Sequence, residues 1–172
     1  HAANLAALPG VQLKYVCDAV PAAAADLAQA LGAEVSTTDA VFADASIDAV
    51  AICSPTSTHS DLIARAAAAG KHIFCEKPVD LSVPRAEAVA QAVAAAGVGC
   101  MIGFQRRFDP TFNEARRRMD AGEIGNPEML VITSRDPGAP PVDYIKRSGG
   151  IFRDMTIHDF DMARFLLGEE VS

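Results

Sequence analysis

The fold class is decided by the stretch Asp48-Ala49-Val50-Ala51-Ile52-Cys53, an apolar run that predicts a β-strand buried on both of its faces. A helix is predicted to follow over residues 61–69, where it ends at Gly70, and a second strand over residues 72–75. Strands that alternate with helices of this length are typical of a parallel sheet with helical crossovers. We therefore predict an α/β fold with a doubly wound, Rossmann-type parallel sheet that is covered by helices on both sides.

The same alternation extends outward in both directions from this stretch. We predict a strand over residues 11–17, a helix over 21–31, a helix over 84–96 and a strand over 98–104. These segments complete a Rossmann-type domain, which we place at residues 1–107.

The pattern changes after residue 107. Asp109-Pro110 is a typical start of a helix, because Asp caps the free backbone N–H groups and Pro suits the first turn. We further predict a strand over residues 128–135, a loop rich in Pro and Gly over 136–150 and a final helix over 151–167. Residues 108–172 are therefore predicted to form the start of a second, α+β substrate domain.

The composition restricts the classes of partner. The chain has 172 residues and a formal net charge of −7, so it lacks the positive field that attracts a nucleic acid backbone. Its apolar runs are interrupted well before the roughly 18 to 20 residues that a membrane span requires, and no signal peptide is recognised. We expect neither a nucleic acid nor a membrane as partner.

The four cysteines are spaced too far apart for a zinc site or a redox-active pair. Each follows a short β-prone run, so we predict small core residues at buried strands and no metal site. Free thiols also suggest a reducing compartment, and the cytoplasm is the expected location. The cysteines are Cys17, Cys53, Cys75 and Cys100.

A dinucleotide site in such a sheet normally begins with a glycine-rich turn between a strand and a helix. The nearest candidate, residues 97–103, has glycine spacing one residue too long, and it ends a helix instead of opening one. Asp18 is more informative, because an acidic residue at a strand end about 20 residues after such a turn binds the ribose 2′-OH. Counting back from Asp18 places the expected first strand and glycine loop before His1, with residues 1–8 as the remnant of the following helix.

Asp18 also bears on the choice between NAD and NADP. A carboxylate about 4 Å from the additional phosphate of NADP would be repelled by roughly 4 kcal/mol at an effective dielectric constant of about 20. This repulsion predicts NAD as the cofactor. The alternative interpretation is that Asp18 is an ordinary turn residue.

Polar residues follow two of the predicted strands, at the edge where ligands bind in open α/β sheets. Residues 54–59 (Ser-Pro-Thr-Ser-Thr-His) follow the first strand, and Glu76-Lys77-Pro78 follow the next. The first segment is either part of a ligand site or a turn that caps a helix. Lys77 either polarises a hydroxyl or carbonyl group or is simply solvated.

The predicted final helix carries the strongest local signal. Asp154, His158 and Asp161 fall within a sector of roughly 60° on a continuous helix, and apolar residues border them. An Asp beside a His is the arrangement that fixes a tautomer and raises basicity. The alternative interpretation is a pair on the helix surface.

Together these motifs resemble the Gfo/Idh/MocA oxidoreductase family across essentially the whole chain. The resemblance rests on Asp18, residues 54–59, Glu76-Lys77-Pro78, residues 103–109 (Gly-Phe-Gln-Arg-Arg-Phe-Asp) and residues 154–161 (Asp-Met-Thr-Ile-His-Asp-Phe-Asp). It implies an enzyme whose nicotinamide lies between a Rossmann domain and a larger α/β domain with an open, mainly antiparallel sheet. It also implies NAD-dependent oxidation of a cyclic polyol, with myo-inositol as the expected substrate and 2-keto-myo-inositol as the product.

The resemblance implies a role for each matching residue. Lys77 matches the catalytic lysine, His158 the base that removes the hydroxyl proton, and Asp154 the residue that orients this base. The positions that match the substrate site are Lys77, Arg107, His158 and Asp161. The positions that match the cofactor side are Asp18, Ser54, Thr56, His59, Glu76 and Lys77.

The resemblance also implies that the whole protein is a homotetramer. The glycine loop and most of the second sheet are expected to be missing from these 172 residues, so we expect the chain alone to be weak or inactive. One alternative is a sister enzyme that acts on another inositol isomer or sugar, which residues 136–147 would help to distinguish. The others are a non-catalytic dinucleotide-binding module and an inactive fragment.

Overall fold

The computed structural model describes residues 1–146 and 148–170 in full, and residue 147 by its backbone. The chain divides into two compact units, His1–Ile102 and Gly103–Ser172. The division falls before residue 107, because the short 3₁₀ helix Gln105–Phe108 packs against helices of the second unit. Across the described residues, no helix is both long enough and apolar enough to span a bilayer.

The first unit alternates helices and parallel strands. Its helices are α1 (Ala2–Ala7), α2 (Pro21–Leu31), α3 (Thr38–Ala43), α4 (His59–Ala68) and α5 (Val83–Ala96). Its strands are β1 (Tyr15–Val16), β2 (Glu34–Val35), β3 (Ala49–Ile52), β4 (His72–Cys75) and β5 (Cys100–Ile102). Within the described residues these strands form two parallel sheets, ordered β1-β2 and β3-β4-β5. The prediction of a parallel α/β sheet is therefore confirmed.

Most of the predicted elements are present, with shorter strands. The helix predicted over residues 21–31 and the strand predicted over 72–75 match at both ends. The strands predicted over residues 11–17 and 98–104 are only two and three residues long, because only those residues pair with a neighbour. Strand β2 and helix α3 lie outside the predicted elements, since they are too short to show a periodic pattern.

The core of the first unit lies between helix α4 and the three-stranded sheet. Ile52, Ile73 and Cys75 of the sheet form one buried cluster with Ile63 and Ala66 of α4. Ile63 is fully buried, and burial of such a side chain contributes about 1.5–3 kcal/mol. This packing fixes where α4 begins, and therefore where its first side chains lie at the sheet edge.

The two faces of this sheet differ in burial. Ile52 is buried, whereas Ala49 and Ala51 of the same strand and Met101 of β5 are exposed. Successive side chains of a strand point to opposite faces, so β3 buries one face only among the described residues. The prediction that these strands are buried on both faces was therefore wrong for the chain as described.

The cysteines follow the same division. Cys75 faces the core, and burial raises the pKa of its thiol to about 12. The other three, Cys17, Cys53 and Cys100, are exposed, which corrects the prediction of four core thiols. Cys17 and Cys53 lie just beyond the ends of β1 and β3, and Cys100 opens β5. None of the four forms a disulfide.

The second unit is helical over its described residues. Its helices are α6 (Pro110–Asp120), α7 (Val142–Ser148), α8 (Ile151–Asp154) and α9 (Ile157–Leu167). As predicted, Asp109 caps α6, since its carboxylate accepts from the backbone N–H groups of Thr111 and Phe112. Arg116 of α6 donates to the carbonyl oxygen of Phe165 at 2.6 Å, which joins α6 to α9.

Three predictions for this unit were wrong. Residues 128–135 form no strand, because no described segment pairs with them and an isolated strand is unstable. The predicted loop 136–150 contains α7, whose first turn forms because the carbonyl oxygen of Pro141 accepts from the N–H groups of Tyr144 and Ile145. The predicted final helix is two helices, since the N–H groups of Met155 and Thr156 both donate to the carbonyl of Ile151 and end α8 there.

Candidate active site

The loops after β3 and β4 lie side by side at the carboxyl edge of the sheet. Ile52 pairs with Cys75 in the parallel register, so Ser54 and Lys77 follow at the same distance along neighbouring strands. The N–H of Glu76 donates to the carbonyl oxygen of Ile52 at 2.9 Å and extends this pairing by one residue. The register therefore places Lys77 at the edge where ligands bind in such sheets, as predicted.

Glu76 is engaged with the protein itself. Its Oε2 accepts from the backbone N–H of Lys77 at 3.2 Å, and its Oε1 lies 2.5 Å from Nε2 of His1. These contacts hold the carboxylate close to its own loop. A role for Glu76 toward the cofactor stays a prediction.

The turn after β3 is closed by its own hydroxyls. Ser54 Oγ and Thr58 Oγ1 lie 2.6 Å apart, and Thr58 Oγ1 donates to the carbonyl oxygen of Pro55 at 2.7 Å. Thr56 is half-buried and begins a 3₁₀ helix, Thr56–Thr58, that leads into α4. These contacts close the turn itself, and Thr58, the N-cap of α4, makes no side-chain capping hydrogen bond within the described residues, so the alternative of a helix-capping turn is not met. Contact of Ser54 or Thr56 with a cofactor stays a prediction.

His59 begins α4 and is buried beneath this edge. Its Nδ1 lies 2.7 Å from the carbonyl oxygen of Pro78, and its Nε2 lies 2.7 Å from the carbonyl oxygen of Ser54. The ring therefore joins the loops that follow β3 and β4. Its predicted place on the cofactor side is not decided by these contacts.

Asp18 is exposed two residues beyond β1. Its Oδ1 accepts from the N–H of Val20 at 2.8 Å and forms a local turn. Among the described residues, this N–H is the hydrogen-bond donor to the carboxylate, so its other oxygen faces solvent. The turn role is thus present, and it is compatible with the predicted contact to a ribose.

The second unit contains the predicted acid and base residues. His158 and Asp161 are buried on α9, whereas Asp154 is half-buried at the end of α8. Since the helix is interrupted between them, the predicted shared face applies to His158 and Asp161 and not to Asp154. Phe104 packs edge-on against the His158 ring, with ring centroids 6.4 Å apart.

Arg107 and Asp161 form a two-point ion pair. Arg107 Nε donates to Oδ2 at 2.8 Å and Nη2 donates to Oδ1 at 2.7 Å. The carboxylate raises the pKa of the guanidinium above its ordinary value. The guanidinium also lies over the ring of Phe165, 5.6 Å from its centroid. The two residues predicted to line a substrate site are therefore brought together.

A second pair, Arg106 with Asp159, was missed by the sequence interpretation, which singled out only Arg107 and Asp161. Asp159 Oδ1 accepts from Arg106 Nη1 at 2.6 Å and from Ser134 Oγ at 2.5 Å. Burial raises the pKa of Asp159, but these two hydrogen bonds outweigh it and hold the pKa below its ordinary value. The sequence does contain a signal for this pair. The adjacent residues Arg106 and Arg107 can each pair with one of two carboxylates on the same helix.

Tyr144 of α7 is a further neighbour that the sequence did not single out. Its hydroxyl donates to Asp154 Oδ1 at 2.7 Å, and this contact raises the pKa of Tyr144 to about 12. Tyr144 belongs to residues 136–147, the segment expected to help distinguish the substrate. This segment is therefore connected to Asp154, one of the predicted catalytic residues. In the described residues, no group of three or more His, Cys, Asp or Glu side chains is arranged to hold a metal ion.

The sequence matches protein-family models over both units. Residues 1–104 match the family described as "Oxidoreductase family, NAD-binding Rossmann fold", and residues 112–172 match the "GFO/IDH/MocA C-terminal domain". The chain belongs to the Gfo/Idh/MocA oxidoreductase family. The resemblance and the Rossmann-type fold class inferred from the sequence are thereby confirmed.

Relatives within the Gfo/Idh/MocA family are named for inositols. An inositol 2-dehydrogenase from Rhizobium meliloti (strain 1021) is 61% identical over 170 residues, which are 99% of this chain and 52% of the relative. A crystal structure of a myo-inositol dehydrogenase from Corynebacterium glutamicum ATCC 13032 matches with a TM-score of 0.90 and 51% identity, over 96% of this chain and 50% of that one.

A third Gfo/Idh/MocA relative was crystallised with ligands. The scyllo-inositol dehydrogenase from Lactobacillus casei, with bound NAD(H) and scyllo-inositol, matches with a TM-score of 0.85 and 35% identity, over 98% of this chain and 52% of that one. The chain spans about half the length of the curated relatives it matches.

Proposed function

We propose that the protein is an NAD-dependent dehydrogenase that oxidises a secondary hydroxyl of an inositol, with myo-inositol as substrate and 2-keto-myo-inositol as product. One observation carries the proposal. Lys77 lies at the carboxyl edge of the sheet, and the buried His158 lies on the helix that carries Asp161, the partner of Arg107. These residues occur in a chain 61% identical to an inositol 2-dehydrogenase.

The residues of the first unit fit NAD. The exposed carboxylate of Asp18 at the end of β1 can accept hydrogen bonds from a ribose, and Ser54, Thr56 and Lys77 belong to the loops at the carboxyl edge. When bound, NAD supplies the acceptor for the hydride that leaves the substrate carbon. The negative charge of Asp18 supports NAD over NADP as the cofactor.

The acid and base work falls to three side chains. His158 removes the proton of the reacting hydroxyl, for which its imidazole must be neutral. Lys77 stabilises the negative charge that develops on the oxygen, because an ammonium group is favourable beside an alkoxide. Asp154 is the residue proposed to orient His158, and its contact with Tyr144 ties it to the preceding helix.

Arg107 and Asp161 are proposed to bind the other hydroxyls of the polyol. Each oxygen of a carboxylate can accept more than one hydrogen bond, so Asp161 can accept from a hydroxyl while Arg107 holds it. The ion pair also fixes the direction in which the carboxylate lone pairs point. A cyclic polyol requires several such acceptors at defined positions.

The assembly and location of the whole protein are part of the same proposal. We infer a homotetramer in the cytoplasm, and the four free thiols are compatible with a reducing compartment. Two other functions remain as outcomes to be tested: a sister dehydrogenase for another inositol isomer or a sugar, and a dinucleotide-binding module without turnover.

The proposal is tested by NAD reduction with myo-inositol, scyllo-inositol and a panel of hexoses. We compare the chain itself with a chimera in which residues 1–170 replace the matching segment of the Rhizobium meliloti inositol 2-dehydrogenase. We expect turnover of myo-inositol by the chimera and little by the chain alone. Turnover of another polyol instead supports the sister enzyme, and a folded chimera that binds NAD without turning over any polyol contradicts the proposal.

Variants of the chimera test the assigned roles. Lys77→Ala and His158→Ala should each lower kcat by about 100- to 10 000-fold and leave the Kd for NAD nearly unchanged. His72→Asn is the matched control, because His72 opens β4 at the opposite edge of the sheet and its ring accepts from the N–H of Gly99. Near-normal turnover by either alanine variant would remove the catalytic assignment.

A further inference from the structure

His59 is held by two contacts with the backbone at the carboxyl edge of the sheet. Its ring is 1% exposed, and each ring nitrogen lies 2.7 Å from a backbone carbonyl oxygen. One carbonyl belongs to Pro78, directly after Lys77, and the other belongs to Ser54. Both nitrogens are therefore engaged with the protein, so the ring acts through the segments that it holds.

The chemistry of these two contacts is restrictive. A carbonyl oxygen only accepts hydrogen bonds, so each contact requires a proton on the ring nitrogen that makes it. A neutral ring carries one such proton, so its tautomer decides which of the two nitrogens donates. In either tautomer the ring lies between the two loops, within 2.7 Å of a carbonyl oxygen of each.

The next residue of α4 extends the same attachment. Ser60 is buried, and its Oγ donates to Asp80 Oδ2 at 2.6 Å and lies 3.4 Å from the carbonyl oxygen of Val79. The first turn of α4 thus contacts each of the three residues that follow Lys77. These contacts define the path of the backbone on the carboxyl side of Lys77.

We propose that His59 is a positioning residue, which holds the loop of Lys77 to the first turn of α4 through the carbonyl oxygen of Pro78 and thereby sets where the Lys77 ammonium meets the reacting hydroxyl. This inference rests on the proposed function of Lys77. Displacement of a reacting group by about 1 Å can lower a rate by about 100-fold, so a loosened loop should reduce kcat before it reduces cofactor binding.

Two substitutions separate the two hydrogen bonds. The amide nitrogen of Asn can replace Nδ1 and keep the bond to Pro78, whereas the amide nitrogen of Gln can replace Nε2 and keep the bond to Ser54. We expect His59→Gln to lower kcat by about 10- to 100-fold, with KM for NAD changed less than about threefold. His59→Asn should retain most of the wild-type kcat.

Matched controls are His72→Asn and His72→Gln, which make the same changes at the opposite edge of β4 and should leave kcat unchanged. Equal activity of His59→Asn and His59→Gln, or a greater loss in His59→Asn, contradicts the proposal. A loss confined to KM for NAD contradicts it as well.

A measurement without turnover separates this inference from the proposed function. Hydrogen exchange of residues 76–80 should accelerate in His59→Gln and change little in His59→Asn. If the chimera oxidises no polyol but shows this difference, the proposed function fails and the holding role of His59 stands. Should the variants not fold, ¹⁵N spectra of the unsubstituted protein decide. Slow exchange of a ring N–H of His59 with solvent supports the proposal, and a ring N–H that exchanges freely with solvent overturns it.

Discussion

Arg107 and Asp161 are 54 positions apart in the sequence and joined by two parallel hydrogen bonds of 2.8 and 2.7 Å. Asp161 is only 4% exposed, so its charge depends on the guanidinium for compensation. The pair fixes the start of the second unit to helix α9, which also carries His158. The same two residues therefore stabilise the second unit and belong to the predicted substrate site.

Substitution of Arg107 tests how much its two-point contact with Asp161 contributes to stability. Arg107→Lys keeps the charge but loses the planar two-point contact, so we expect the free energy of unfolding to fall by about 1–3 kcal/mol. Arg117→Lys is the matched control, since Arg117 makes the same two-point contact with Glu114 on the exposed side of α6. Denaturant unfolding measures both variants. Equal destabilisation by the two substitutions would contradict a special role for the buried pair.

Asp80 should contribute to the acid sensitivity of the fold. Burial raises the pKa of its carboxyl, but hydrogen bonds from Ser60, Arg85 and the N–H of Ser82 outweigh this and lower the pKa from 3.8 to about 2. A carboxyl whose pKa is lower in the folded state stabilises the fold above about pH 4, and the contribution is lost as the pH falls toward about 2.

We therefore expect Asp80→Asn to lower the Tm at neutral pH and to reduce the loss of Tm between pH 4 and pH 2. Asp61→Asn is the control, because Asp61 pairs with the same Arg85 at an exposed position and should change the Tm little. Thermal unfolding across this pH range provides the comparison. Parallel wild-type and Asp80→Asn profiles would show that Asp80 does not carry this pH dependence.

The contact between Tyr144 and Asp154 can be measured by titration. The carboxylate accepts from the phenol and raises its pKa to about 12, so this contact is present at neutral pH and is lost as the pH rises through that value. Asp154→Asn should return the pKa of Tyr144 toward 10. Tyrosinate absorbance measures this change, with Tyr144→Phe identifying the signal and Asp143→Asn as the neighbouring control. An unchanged titration would mean that the contact does not form in solution.

The choice of cofactor should depend on Asp18. Asp18→Ser removes the charge, while its hydroxyl can still accept from the N–H of Val20 and keep the turn. In the chimera we expect the ratio of kcat/KM for NADP to that for NAD to rise about tenfold or more. Asp26→Ser, on the following helix, should leave the ratio unchanged. No change in Asp18→Ser would show that Asp18 does not face the ribose.

The first unit was largely predictable because its signals are local. Helix α2 has Pro at its start and Gly32 at its end, where φ is 67° and a side chain would be strained. Strand β4 is a short apolar run between a glycine turn and a polar loop. Such signals depend on neighbouring residues, so they are visible without knowledge of the fold.

The second unit was less predictable because its elements depend on distant contacts. The apolar residues of 128–135 favour a strand, but a strand exists only where another strand supplies hydrogen bonds. The break between α8 and α9 arises from two N–H groups that share the carbonyl of Ile151, and both pieces are apolar enough to suggest one helix. The pairing of Arg106 with Asp159 likewise needs residues 53 positions apart.

The sequence alone determined the α/β alternation, the family and the identity of the candidate residues Asp18, Lys77, Asp154 and His158, because hydrophobic period, caps and motifs are properties of short segments. The tertiary structure decided which candidates contact one another. It bound both nitrogens of His59 to carbonyls of separate loops and placed Asp161 against Arg107. Such contacts depend on strand register and helix packing, which bring together groups that no local pattern relates.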